Sequence, residues 1–307
     1  MISIYLSNES IQILTGDAKF GILNINEYYL EGIPERSIIN GVITDPEAIK
    51  NSLGFVWEKY KLPSSNIHLV IDIPSAMGKV MTVPDIAEKK ILKLVEREFS
   101  GSYTENTLYD YANILGNIKS LSREEKAKQK KKPGIDIYAS AVNRELIGKY
   151  IKLFESQGIK LQSINLGMNS VIKLGHFLRS LRGRTYIIMA LDGNSMASFL
   201  FINGRYNISN KYRLTYERGS VELASEIARQ TSSLIQFNSS QKSGFQIEQV
   251  YLCGLHSDEQ GYGEYIKGAL GIPASKLPLL DTEVLISHNK ASKFDLADNI
   301  YVAGNLI

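Results

Sequence analysis

Four histidines, one cysteine and two polar turns are the groups in this 307-residue chain that could do chemistry. His68, His176, His256 and His288 are scattered, with no i,i+4 spacing of the kind that sets two imidazoles on one metal, so packed or surface histidines and no metal site are expected. A single cysteine excludes an internal disulfide and any cysteine-cluster zinc site. Cys253 closes the apolar run QVYLC with no base nearby, so an inert buried thiol is expected rather than a nucleophile. Gly261-Tyr262-Gly263 lacks both the preceding strand and the G-x-G-x-x-G spacing of a dinucleotide loop. The two turns are Ser7-Asn8-Glu9-Ser10 and Asp192-Gly193-Asn194-Ser195, both rich in small hydrogen-bonding residues. No catalytic residue emerges from these groups.

Composition narrows the classes further. The chain is 44% hydrophobic and 22% charged, an ordinary globular balance with room for a buried core. Lys and Arg exceed Asp and Glu by 35 to 32, too little to argue for nucleic acid. The basic stretch Lys119–Pro133 (KSLSREEKAKQKKKP) reads either as a solvated loop or as a patch for anionic lipid or nucleic acid. The absence of interleaved aromatics weakens the nucleic-acid version. No run approaches the ~18 apolar residues of a membrane span. The start, MISIYLSNES, has neither the basic nor the apolar region of a signal peptide. A cytoplasmic protein, linked to a membrane only peripherally or through a partner, is the expectation.

The elements that position these groups repeat. Residues 1–15 alternate as a β-hairpin around Ser7–Ser10, and a third strand covers Lys19–Leu30. Asp45-Pro46-Glu47 starts a helix carrying Ile49, Leu53, Val56, Trp57 and Tyr60 at helical spacing, and IHLVIDI at 67–73 reads as a buried strand. The order recurs: Tyr186–Leu191, a turn, Met196–Ile202, the hairpin signal Asn203-Gly204, Tyr206–Leu214, a helix over Val221–Phe237, then the strand Gln249–Cys253. Between the halves, a helix near Ile86–Phe99, a strand near Leu108–Leu115, a strand Ile135–Val142 and a helix Glu145–Gln157 predict a small α+β subdomain. The predicted organisation is a first lobe over 1–80, completed by 163–182, an insert over 81–162, and a second lobe over 183–307. Such self-similarity implies a duplicated α/β protein.

This order resembles the actin-like ATPase superfamily, and the placement of the insert resembles its FtsA and PilM branch. The local wording resembles the PilM family, cytoplasmic actin-like proteins of type IV pilus assembly. The stretches that carry the likeness are GVITDPEAI (41–49), LVIDIP (69–74), MTVPDIAEKKILKLVERE (81–98), YDYANIL (109–115), IYASAVNRELIGKYIKLFESQGIKLQSI (137–164), Val250–Gly254 with YIKGALGIP (265–273), and VAGNLI (302–307). Nearly the whole chain is covered. The implied fold is α/β, a duplicated two-lobed actin-like (ribonuclease-H-like) fold with an α+β subdomain inserted in the first lobe.

In that superfamily two hairpin turns face each other, cradle the nucleotide phosphates with backbone N–H groups and keep acidic residues beside them for Mg²⁺. Here Tyr5 stands where an aspartate is expected, Ser7 where glycine is, Ala190 at the second hairpin's aspartate and Asp192 at a glycine position. Asn165 replaces an acid, and the glycine pair after 250–253 is reduced to Gly254-Leu255. ATP with Mg²⁺ is the cofactor the resemblance implies. Its candidate contacts are Ser7, Asn8, Asp192, Gly193, Asn194, Ser195 and Gly254. Two readings stay open: the turns are now only turns, or Asp192, shifted by two residues, still reaches a metal while the following residues cradle a phosphate. With the acidic positions lost, negligible hydrolysis is expected, so the chain reads as uncertain and on balance not an enzyme.

The resemblance also implies a partner, the short cytoplasmic N-terminal peptide of a PilN-like bitopic membrane protein. That peptide would dock between the first lobe and the insert and recruit the chain to the cytoplasmic face of the inner membrane. Candidate contacts are Phe99, Tyr109 and Tyr111, whereas Leu92 and Val95 sit at spacings that favour the subdomain's own core. The alternative is an active actin-like ATPase or a filament-forming protein of FtsA type. FtsA-like proteins carry a C-terminal amphipathic helix, which this sequence, stopping at Gly304-Asn305-Leu306-Ile307, does not show. A sugar-kinase-like enzyme would need a catalytic acid that the turns lack.

Overall fold

The computed structural model describes residues 1–101, 106–114, 134–241 and 244–307. The basic stretch 119–133 and Leu115, the last residue of a strand expected from the sequence, therefore lie outside the described residues.

The chain opens with β1 (Ile2–Leu6), β2 (Ser10–Lys19) and β3 (Ile22–Gly32), an antiparallel run, followed by the short hairpin β4 (Ile38–Ile39) and β5 (Val42–Ile43). Asn40 and Gly41 turn that hairpin with φ of 49° and 70°, the left-handed pair a two-residue loop demands. Helix α1 (Pro46–Tyr60) starts as expected: the Asp45 carboxylate accepts from the Ala48 N–H at 3.0 Å and Pro46 occupies the first turn. It leads to β6 (Ile67–Ile71), which lies parallel to β1.

The insert follows: β7 (Met77–Val83), α2 (Glu88–Phe99), β8 (Thr107–Asn113), β9 (Ile135–Asn143) and α3 (Arg144–Glu155). Its three strands form one antiparallel sheet in the order β7-β9-β8, with α2 packed on one face. The Asn143 side chain caps α3 by accepting from the N–H groups of Glu145 and Leu146. The chain then returns to the first lobe through β10 (Leu161–Leu166) and α4 (Gly167–Phe177).

The second half repeats the first. β11 (Tyr186–Asp192), β12 (Ser195–Ile202) and β13 (Arg205–Arg213) are antiparallel, Asn203-Gly204 supplies the expected positive-φ turn, and α5 (Val221–Ser240) crosses to β14 (Gln249–Cys253), parallel to β11. Helix α6 (Tyr262–Leu270) and β15 (Ala274–Lys276) complete this sheet, in the order β13-β12-β11-β14-β15. Strand β16 (Val284–Lys290) pairs with β3, so the first lobe's sheet runs β10-β6-β1-β2-β3-β16. The last helix, α7 (Ile300–Gly304), packs on α4 and on β1 and β2. The 183–307 stretch is thus shared: its first part builds the second sheet, and its end re-enters the first lobe.

Each sheet has its own aliphatic layer. Ile4, Ile13, Leu53, Val56 and Leu69 lie in one, and Ile187, Leu200, Leu223, Ile227 and Leu252 in the other. Between the lobes runs a third core containing Tyr5, Tyr186, Phe201, Tyr301 and Leu306. Among the described residues no helix is long and apolar enough to cross a membrane.

Candidate functional site

The two hairpin turns do face each other across the lobes. In the first, Ser7 Oγ accepts from the Glu9 and Ser10 N–H groups at 3.0 and 2.8 Å. In the second, Ser195 Oγ donates to the Asp192 carbonyl at 2.9 Å, and Gly193 turns with φ of 52°. What lies between them is protein. Tyr5 Oη donates to Asp192 Oδ2 at 2.7 Å, Asn8 Nδ2 donates to the same oxygen at 3.2 Å, and the Asn8 N–H reaches the carboxylate at 3.4 Å. Of the two readings of Asp192, this geometry favours the one in which the turns no longer cradle phosphate: the carboxylate already takes the donors that an anion would need. Tyr5, at the expected aspartate position, is buried with its ring 4.7 Å from that of Tyr301.

Burial raises Asp192 from its ordinary value of 3.8 to about 6, the Tyr5 hydroxyl opposes that rise, and the charge of Asp72 adds to it. A carboxylate raised in the folded state contributes stability that is full below its unfolded pKa and is lost as pH climbs through about 6. Lowering the pH from 7 to 5 should therefore stabilise the native chain by about 1 kcal/mol more than the Asp192→Asn variant. Parallel denaturant curves at the two pH values check this, and equal shifts in both proteins would refute it.

The remaining sequence candidates have structural partners. Asn165 Nδ2 donates to Asn305 Oδ1 at 2.8 Å and to Ser163 Oγ at 3.2 Å. Ala190 is buried. The Asn194 carbonyl accepts from the Leu214 N–H at 2.8 Å. Gly254 adopts φ of 70°, and a Cβ there would sit 2.1 Å from the Leu191 carbonyl oxygen, so its glycine is required by packing.

Sequence reasoning missed Arg218 and Glu259. The guanidinium grips the buried carboxylate with two bonds of 2.6 Å and donates to the Gly254 carbonyl at 2.8 Å. Burial alone would raise Glu259, but Arg218 and the N–H groups of His256 and Gly219 more than offset it and hold the carboxyl below its usual value. The pair is 41 residues apart in the chain, so no local signal in the sequence marked it.

A cleft cavity of about 350 Å³ adjoins these groups, lined by Tyr5, Glu9, Gln12, Tyr28, Asp192, Arg218, His256, Asp298 and Tyr301 among others. Its one arginine is spent on Glu259, and His256 Nε2 lies 3.2 Å from Glu9 Oε2. Three carboxylates (Glu9, Asp192 and Asp298) line the cavity, which disfavours a triphosphate without a cation. Among the described residues no His/Cys/Asp/Glu cluster could hold a metal.

A second feature lies where the insert meets the first lobe. Two hollows, of about 570 and 230 Å³, adjoin at Ile147 and Ile164, which line both, and are together called the trough. Its walls are α3, with Ile147, Ile151 and Glu155, and the β8-β9 sheet. Its floor is β10, an edge strand with one side unpaired by any described strand; β8 is likewise an edge.

Strand alternation sorts the sequence candidates around this trough. Tyr109, Tyr111 and Ala141 pack with Val83, Ile91 and Phe99 in the insert's core, so Leu108, Asp110 and Ala112 fall on the opposite face with their partners Val142, Ser140 and Tyr138. Phe99 is buried and stacked on Tyr109 at 6.4 Å, withdrawn from the trough. Tyr109 and Tyr111 border it while serving that core. Val95 is in the same core, as its spacing suggested, whereas Leu92 is only partly buried and lies outside it.

No family model and no curated protein matches this sequence. Solved structures do match. A chain of a PilM–PilN type IV pilus biogenesis complex superposes with a TM-score of 0.72 at 13% identity, over 99% of this chain and 96% of that one. A Bacteroides thetaiotaomicron protein described as having an actin-like ATPase fold and unknown function gives 0.52 at 12% identity, over 99% and 94%. At such identities the likeness is one of architecture: the duplicated lobes, the facing hairpins and the inserted subdomain are an actin-like fold.

Proposed function

We propose that this chain is a PilM-like adaptor of a type IV pilus assembly platform, one that docks the N-terminal cytoplasmic peptide of a PilN-like membrane protein. It works as a scaffold, with its nucleotide cleft degenerate, and is recruited to the inner membrane by that partner. The observation that carries this reading is the trough between α3, β8-β9 and the open edge of β10. An extended peptide can add to a free strand edge through main-chain hydrogen bonds while alternate side chains enter the apolar hollows. The end-to-end likeness to a chain solved in a PilM–PilN complex supports the choice of partner. The tethered hairpins and the acidic cleft support a scaffold over an ATPase.

Calorimetric titration with a synthetic peptide from the cytoplasmic end of a PilN-like protein tests it. Micromolar binding, about −8 kcal/mol, is expected, with no phosphate release from Mg-ATP under the same conditions. Absence of binding at millimolar peptide, or steady phosphate release that Asp192→Ala removes, would overturn it.

A further inference from the structure

Among the contacts that cross the cleft besides the Tyr5–Asp192 bond, two lead to Gly41 of the first lobe. Asn8, whose side chain and N–H hold Asp192, also presents its Oδ1 to the Gly41 N–H at 3.5 Å. Asp72 receives the Lys211 ammonium of β13 at 2.5 Å, and its own carbonyl packs against Gly41 so closely that a Cβ there would lie 2.4 Å away. Gly41, at φ of 70° in the β4-β5 turn, has no freedom to yield. Its carbonyl is in turn the acceptor for Tyr150 Oη at 2.7 Å, a buried bond. Tyr150 is fully buried on the core side of α3. The same helix presents Ile147 and Ile151 to the trough.

We propose that Asn8, Gly41 and Tyr150 form a relay through which the protein's own cross-cleft tethers, standing where a bound nucleotide would bridge the lobes, position α3 and with it one wall of the docking trough. This rests on the docking reading above. In it Tyr150 and Asn8 are positioning residues: neither borders the trough, yet each fixes the helix that does. The relay is short: Gly41 packs against the Asp72 carbonyl at β6's end and accepts from Tyr150, while Leu153 and Phe154 of the same helix pack in the first lobe's core, so the relay's part is to set the helix's position on that core.

Hydrogen exchange by mass spectrometry on the full chain, with peptide titration in parallel, tests the relay. In an Asp192→Ala/Lys211→Gln double variant, exchange should rise at least tenfold in the turns at 7–10 and 192–195 and also in 144–155, and a PilN-like peptide should bind at least tenfold more weakly. Tyr150→Phe, a milder change, should loosen 144–155 and weaken the peptide while leaving the two turns as in the native chain. If the double variant loosens the turns but leaves 144–155 and the affinity within twofold of native, or fails to loosen the turns at all, the relay is wrong. If the native chain takes no peptide, the docking reading falls by itself, and exchange in 144–155 alone decides the relay, with unchanged exchange overturning it.

Discussion

Arg218→Ala should lower the unfolding free energy by about 3–5 kcal/mol, because it leaves the Glu259 carboxylate buried without its counter-charge. Glu259 is fully buried and Arg218 nearly so, which removes the solvent screening that makes most surface ion pairs weak. The guanidinium also donates to the carbonyls of Gly254 and Gly193, tying α5's start to both sides of the second lobe's cleft edge. Two controls separate charge from packing. Arg218→Met with Glu259→Leu together should recover a large part of the loss, since removing both charges ends the desolvation cost. Glu226→Gln, on an exposed i,i+3 pair with Arg229, should cost less than about 1 kcal/mol. Urea denaturation gives all three losses on one scale. A loss below about 1 kcal/mol for Arg218→Ala would mean that Glu259 finds water or another partner.

The second large effect concerns the trough. Ile164 is shared by both hollows and lies on the edge strand, so Ile164→Asp places a carboxylate at the centre of the proposed interface. Central anchors carry most of a peptide's binding energy, and a desolvated charge there should cost about 3 kcal/mol, more than a hundredfold in affinity. Leu108→Ala, on the same face of the insert, should cost less. Tyr111→Ala should act chiefly through the insert's own stability, because that ring packs toward α2. Retained cooperative unfolding of each variant must accompany the titrations.

The doubled hairpin-strand-helix-strand order was legible because it rests on local signals: Asn203-Gly204, the Asp45-Pro46 cap and the alternating strands all mean the same thing wherever they occur. The insert's α2, β8, β9 and α3 were legible for the same reason, but its first strand β7 was not, and the expected boundary at 80/81 falls inside it. The strand 107–113 shows where such signals stop. Its sequence, TLYDYAN, offers an aromatic face and a mixed face, and nothing local says that α2 claims the tyrosines. The cleft shows a second limit. The missing acids at Tyr5, Asn165 and Ala190 could be read one by one as losses. That Tyr5 would turn its hydroxyl to Asp192, 187 residues away, depends on the approach of two lobes and has no trace in spacing. Arg218 and Glu259 were invisible on the same ground. The final strand β16 was also hidden, since its partner β3 lies more than two hundred residues earlier and an edge strand carries weak alternation.

Hydrogen-exchange footprinting of the native chain with and without a saturating PilN-like peptide is the most direct measurement. If the peptide adds to the edge of β10 between α3 and the β8-β9 sheet, protection should appear in 107–112, 138–151 and 158–169, and should vanish in Ile164→Asp. Protection confined to the cleft turns at 7–10 and 192–195 or to the second lobe, or none anywhere while the peptide binds, would contradict docking in the trough.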